Sequence, residues 1–190
     1  MIMSFTPKVF IVISKVVNDK AVKLHRQESR SFTRWAKIFM ANLAAAAGVL
    51  YAGEGTLTFT GLQVKDIYGV LEPVNLNYLT NQIYATACGQ SDETFDEEQF
   101  FLSDFIAFAD NYELLSDIAL DGNTVKFSMR SYFVVVSDFT MKETVLLGIF
   151  ADSEAEGHLI TISRDLLETP YECKTDEVYI VDYEFVYGRG

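Results

Sequence analysis

The sequence predicts a mainly β protein, an antiparallel β-sandwich with one N-terminal amphipathic α-helix. Three observations predict it. Aromatic residues are abundant, 15 Phe and 10 Tyr against 3 Pro, and they suit pleated, half-buried surfaces. Short runs of alternating or β-branched residues, separated by turn residues, fill most of the chain. One stretch near the N-terminus instead repeats its apolar residues at steps of three and four. The 190 residues predict one domain, 1–190, with a hairpin over 8–27, a helix over 31–47 and the main sheets over 56–187. A chain this long can bury a core without disulfides or metals.

Lys8–Val17 is rich in β-branched residues, Asn18-Asp19-Lys20 reads as a turn, and Ala21–His25 alternates. The chain therefore opens on a hairpin. Ser29 and Ser31 are candidate caps for the helix, because a serine oxygen can accept a free N–H of the first turn. From Ser31 to Ala47 the residues Phe32, Trp35, Ala36, Phe39, Met40, Leu43 and Ala47 share one face, and Gly48 is a fitting stop. Ile38–Ala52 is almost wholly apolar, but its 15 residues fall short of the roughly 20 needed to span a membrane. A core-facing helix is expected, and no membrane partner.

Beyond Gly53 the strand candidates are Thr56–Thr60, Gln63–Ile67, Val70–Val74 and Gln82–Cys88. Gly89–Glu98 is a polar, acidic connection. Phe100–Ala109 fits a strand or a helical turn. Tyr112–Leu120 and Thr124–Val136, joined by Asp121-Gly122-Asn123, form the clearest hairpin, since Asp-Gly favours a tight turn. Thr144–Ala151, His158–Ser163 and Glu177–Tyr187 complete the set. In the last strand Tyr179, Val181, Tyr183, Phe185 and Tyr187 share one face, opposite Asp182 and Glu184. That aromatic face suits sheet-on-sheet packing.

Charge is uneven. Residues 1–50 hold eight Lys/Arg against two Asp/Glu, and residues 51–190 hold seven against 25, giving the net −12. An acidic body repels phosphates, so no nucleic-acid partner is expected. The opposite charges of the two parts suit either solvated surfaces or head-to-tail pairing between copies. Cys88 and Cys173 are expected as two free buried thiols, with a single bridge as the other option. The apolar run Val9–Ile13 is too short for a secretory signal.

Little of the sequence suggests chemistry. His25 and His158 have no ligand set beside them and are expected at the surface. Two cysteines and two histidines make a zinc site unexpected, and no cofactor is expected. G-x-S-x-G, P-loop and G-x-G-x-x-G patterns are absent. The cluster Asp92, Glu93, Asp96, Glu97 and Glu98 admits three readings. It could hold Ca²⁺ through several oxygens, or supply the two carboxylates of a glycosidase. The expected reading is a solvated loop, or a patch that meets basic residues on a neighbour. Arg164-Asp165 reads as a pair locking a strand end or an interface, or as an exposed turn.

Taken in order, several pieces resemble small structural proteins of tailed-virus particles, from phages and archaeal viruses. After the opening hairpin they are Ser31-Phe32-Thr33-Arg34, Gly148-Ile149-Phe150 and Ile162-Ser163-Arg164-Asp165-Leu166. Gly89-Gln90-Ser91 and Asp96-Glu97 stand at matching separation. Ala87, Glu93, Leu146 and Glu98 depart from the pattern. The resemblance implies a non-enzymatic β-sandwich component of the virion, in capsid decoration or in the tail, baseplate or fibre. Its partners would be copies of itself in a symmetric oligomer and other virion proteins. The residues expected to serve structure or interface are Phe32, Arg34, Trp35, Phe39, Arg164, Asp165, Tyr183 and Phe185. The alternative is a carbohydrate-binding, adhesin-like module, with or without Ca²⁺ in its acidic loop. A hydrolase built on the 92–98 carboxylates is a third reading.

Overall fold

The computed structural model describes residues 8–34, 36–37, 63–73, 82–121, 124–151 and 157–187. The strands in chain order are β1 (Lys8–Val17), β2 (Lys20–Glu28), β3 (Gln63–Lys65), β4 (Leu71–Pro73), β5 (Gln82–Gly89), β6 (Phe105–Phe108), β7 (Asn111–Asp121), β8 (Thr124–Val134), β9 (Phe139–Ala151), β10 (Gly157–Cys173) and β11 (Val178–Tyr187). They form a five-stranded sheet in the order β2-β1-β11-β8-β7, a four-stranded sheet β10-β9-β5-β6, and the small hairpin β3-β4. Every pairing is antiparallel. The protein is mainly β, as the alternation predicts.

The first hairpin turns where its sequence allows. Asn18 and Asp19 both take left-handed conformations, φ 51° and 59°, the geometry whose twist matches the flanking strands. Asn and Asp tolerate it because their short polar side chains bond locally. In β11 the alternation holds. Tyr179, Val181, Tyr183 and Phe185 enter a core with Val9, Ile11 and Ile13 of β1 and Met129 and Phe133 of β8. Cys88, Met141, Leu146 and Cys173 of the four-stranded sheet enter the same core, and the two cysteines are free and buried. Each aliphatic side chain hidden there contributes about 1.5–3 kcal/mol. The opposite face of the four-stranded sheet carries a smaller cluster, where Ala87, Val145 and Leu147 meet Ile67 and Leu102.

Several expectations need correction. Of the helix expected over 31–47, Trp35 and 38–47, with Phe39, lie outside the described residues, as does the strand expected over Thr56–Thr60. Arg34, Ala36 and Lys37 are helical, but the turn starts later than Ser29 or Ser31. Thr33 is the cap: its Oγ1 accepts the Ala36 N–H at 3.1 Å, and its carbonyl accepts the Lys37 N–H at 3.2 Å. Ser31 and Phe32 are drawn instead to β10, where Phe32 bridges Ser163. Within 100–109 only Phe105–Phe108 is strand. β9 begins at Phe139, before the expected Thr144. β10 runs 17 residues, to Cys173 rather than Ser163.

β10 is an edge strand, and its free edge is plugged along its length. Leu159 O accepts from Ile67 N, Ile162 O accepts from Thr33 N, and Arg164 N donates to Ser31 O. The Gln27 side-chain amide then imitates a strand neighbour, donating to Leu166 O at 2.8 Å and accepting from Glu168 N at 3.0 Å. Pro170 follows, where pairing with β9 slips between Leu166 and Tyr171. Proline is tolerated at such an edge because no ladder bond is asked of its nitrogen. These devices deny other chains a strand-pairing template.

Candidate functional site: a buried polar spine beneath the acidic connection

Arg164 and Asp165 are neighbours in the middle of β10, so they point to opposite faces of the sheet. They do not pair with each other, and they form no exposed turn. Arg164 faces the outer side of the four-stranded sheet and Asp165 the shared core.

Arg164 is 0 % exposed, and so is its partner Glu143 of β9. Its Nε donates to Glu143 Oε2 at 2.6 Å. Its Nη1 donates to Glu93 O at 3.1 Å and to Gln99 Oε1 at 2.8 Å. Nη2 finds no partner. The second Glu143 oxygen accepts from Ser91 N at 3.3 Å. One ion pair thus fastens both ends of the acidic connection onto the sheet. Gly89 makes room for it: a Cβ there would lie 2.5 Å from Glu143 Oε1 and 2.6 Å from Asp104 O.

On the other face Asp165 is 2 % exposed. Its Oδ2 accepts from the Ser29 hydroxyl at 2.8 Å and its Oδ1 from Arg30 N at 3.3 Å. Burial pushes its carboxyl up to about 6, against the pull of the Ser29 hydroxyl. Nearby, Thr144 Oγ1 and Tyr183 OH are 3.0 Å apart. Burial, then the charge of Asp165, hold the Tyr183 phenol well above its ordinary value. The spine therefore runs from the segment after β2, through β10, to the acidic connection.

The acidic cluster meets basic residues, but they belong to the same chain. Glu98 pairs with Arg34 at 2.5 Å, Glu97 with Lys37 at 2.9 Å, and Asp92 with Lys142 at 3.3 Å. Asp96 Oδ1 accepts the Glu98 N–H at 2.9 Å. Glu93 contributes its backbone carbonyl to Arg164. The carboxylates diverge to separate cations. Among the described residues no group of three His, Cys, Asp or Glu side chains is placed to hold a metal ion. An open groove runs along the connection, lined by Lys65, Phe95, Asp96, Glu98 and Phe100.

The other expected residues fall in different places. Phe32 packs half-buried against the shared core. Tyr183 and Phe185 lie inside it, Phe185 stacked on Phe127 at 4.6 Å, so neither offers a surface to a partner. His25 is half-buried rather than open: its Nε2 is 2.9 Å from Gln27 Oε1, and its ring meets Tyr171 edge-on.

Two features escaped the sequence reading. His158 Nδ1 lies 3.8 Å from Asp66 Oδ2, while the other Asp66 oxygen accepts from Tyr68 N and Val70 N at 2.9 Å each. The signal was Asp66 opening a turn before Gly69, but nothing local announces a partner 92 positions away. On the outer face of the five-stranded sheet, Arg130 grips Asp182 with two bonds of 2.7 and 3.0 Å, a fork that Lys could not form.

Compared with known proteins, the chain matches no family model, no curated protein and no solved structure. No helix among the described residues is long and apolar enough to cross a membrane.

Proposed function

We propose that this chain is a non-enzymatic structural subunit of a tailed-virus particle, and that its two sheets form a β-sandwich. The spine carries the reading. Ile162–Leu166, a stretch on which the virion resemblance rests, holds the largest fully buried side chain of the described residues, Arg164. That side chain and Asp165 bind two separate segments, the one after β2 and the acidic connection, onto one sheet. Interior charges spent on fastening loops suit a rigid building block. The shared core of both sheets supports the sandwich.

The test is the composition of density-gradient-purified particles of the virus that encodes the chain. Quantitative mass spectrometry is expected to find it in a fixed number of copies per particle. Its confinement to the soluble fraction of infected cells, with none in the particles, would refute the reading.

A further inference from the structure

The two sheets run in the same order across the molecule. β2 lies over β10, since Gln27 bonds Leu166 and Ser29 bonds Asp165. At the far side, Asp110, just after β6, donates its N–H to Tyr132 O of β8. The edge strands β2 and β6 therefore stand on opposite sides. Their surfaces are opposite in charge as well.

β6 is a four-residue edge strand carrying an aromatic patch. Phe105 and Phe108 are 40 and 41 % exposed and their rings meet tilted at 4.8 Å, with Phe101 behind them at 5.3 and 5.8 Å. Asp104 and Asp110, both exposed, flank the strand. On β2, Val22 and Leu24 are 47 and 40 % exposed, between the exposed Lys20, Lys23 and Arg26. Lys20, Lys23 and Asp104 form no ion pair among the described residues.

We propose that the β6 side of one copy docks on the β2 edge of a second copy, head to tail. Phe105 and Phe108 cover Val22 and Leu24, and Asp104 faces Lys20 and Lys23. The occupant follows from charge. Antiparallel pairing of β6 with its own copy would set Asp104 against Asp110, and pairing of β2 with itself would set lysine near lysine. Both are repulsive. Only β2 against β6 joins opposite charges over an apolar centre, the usual anatomy of a specific interface. Because the two patches differ and lie on opposite sides, the contact repeats from copy to copy and builds a ring or a filament. The inference rests on the assembly reading above and supplies the contact that reading needs.

Sedimentation velocity of the full chain over a concentration series tests it. The wild type is expected to self-associate, more weakly as salt rises, because the charges are exposed. Phe105→Ser with Phe108→Ser, and separately Lys20→Glu with Lys23→Glu, are each expected to weaken association by about tenfold or more. Circular dichroism confirms that both variants fold. Mixed one to one, they are expected to form a heterodimer and no larger species, since each retains one intact patch. Asp104→Lys is expected to restore growth to the Lys20→Glu, Lys23→Glu chain. Variants that assemble like the wild type, or a mixture that stays monomeric, would overturn the contact. A wild-type chain that stays monomeric yet is found in purified particles would overturn the contact and leave the virion reading standing.

Discussion

Arg164→Met isolates the spine. Methionine keeps most of the length and apolar bulk but removes the charge and the three hydrogen bonds that the guanidinium makes. Glu143 would remain 0 % exposed without its cation, and Glu93 O and Gln99 Oε1 would lose their donor. Breaking a buried pair from one side costs about 3–5 kcal/mol, chiefly because a charge is stranded. For a chain of this size each kcal/mol moves the melting temperature by about 2–4 °C, so a fall of about 6–20 °C is expected by calorimetry. Replacing both partners, Arg164→Met with Glu143→Leu, removes the stranded charge and sets apolar groups beside Val145 and Leu147. The double variant is expected to recover at least about 2 kcal/mol relative to Arg164→Met, a coupling that a thermodynamic cycle reads directly. A shift under about 2 °C for Arg164→Met, or strict additivity in the cycle, would refute the fastening role.

Asp165 gives a pH dependence of defined sign. Its folded-state carboxyl titrates near 6, above the ordinary value near 3.8, so the folded chain binds more protons between those values. The stability it contributes is whole below about pH 4 and is lost as pH rises through 6, a change of about 3 kcal/mol. Urea unfolding of Asp165→Asn and wild type at several pH values should show the variant gaining on the wild type from pH 4 to 7; a constant gap would contradict the assignment. Gly89→Ala places a methyl group against Glu143 and the Asp104 carbonyl and should cost about 1–3 kcal/mol. An unchanged melting curve would show that the connection is not held as tightly as its contacts indicate.

What the sequence disclosed was the local pattern. The Asn18-Asp19 turn, the pairing of β7 with β8 and the two faces of β11 needed only alternation and turn chemistry, and they stand within a few residues of their expected places. β10 was cut short because Arg164, Asp165 and Pro170 break the pattern that marks a strand. Those charges are tolerated inside it because Glu143 and Ser29 arrive from 21 and 136 residues away, and no local window contains such partners. The acidic cluster was legible as charge but not as partnership: Arg34 meets Glu98 across 64 residues. The cap stands at Thr33 rather than Ser29 or Ser31 for a related reason, since Ser31 and Phe32 are claimed by the β10 edge before Thr33 caps the turn.

The treatment of strand edges ties these observations together. An unpaired edge invites association, and this chain treats its edges unequally. On β10 it plugs the free edge with backbone from two other segments, the Gln27 amide and a proline. Beside it, β2 carries lysines and exposed valine and leucine, and on the far side β6 carries phenylalanines between aspartates. A monomer gains nothing from exposing an apolar patch on both sides while sealing the β10 edge that lies beside one of them. Lys20→Glu and Lys23→Glu with Asp104→Lys in one chain reverse the charges on both sides and preserve their complementarity. That chain should therefore assemble as the wild type does, whereas the change on either side alone should not. Charge reversal that abolishes assembly even when paired would show that these edges meet something other than each other.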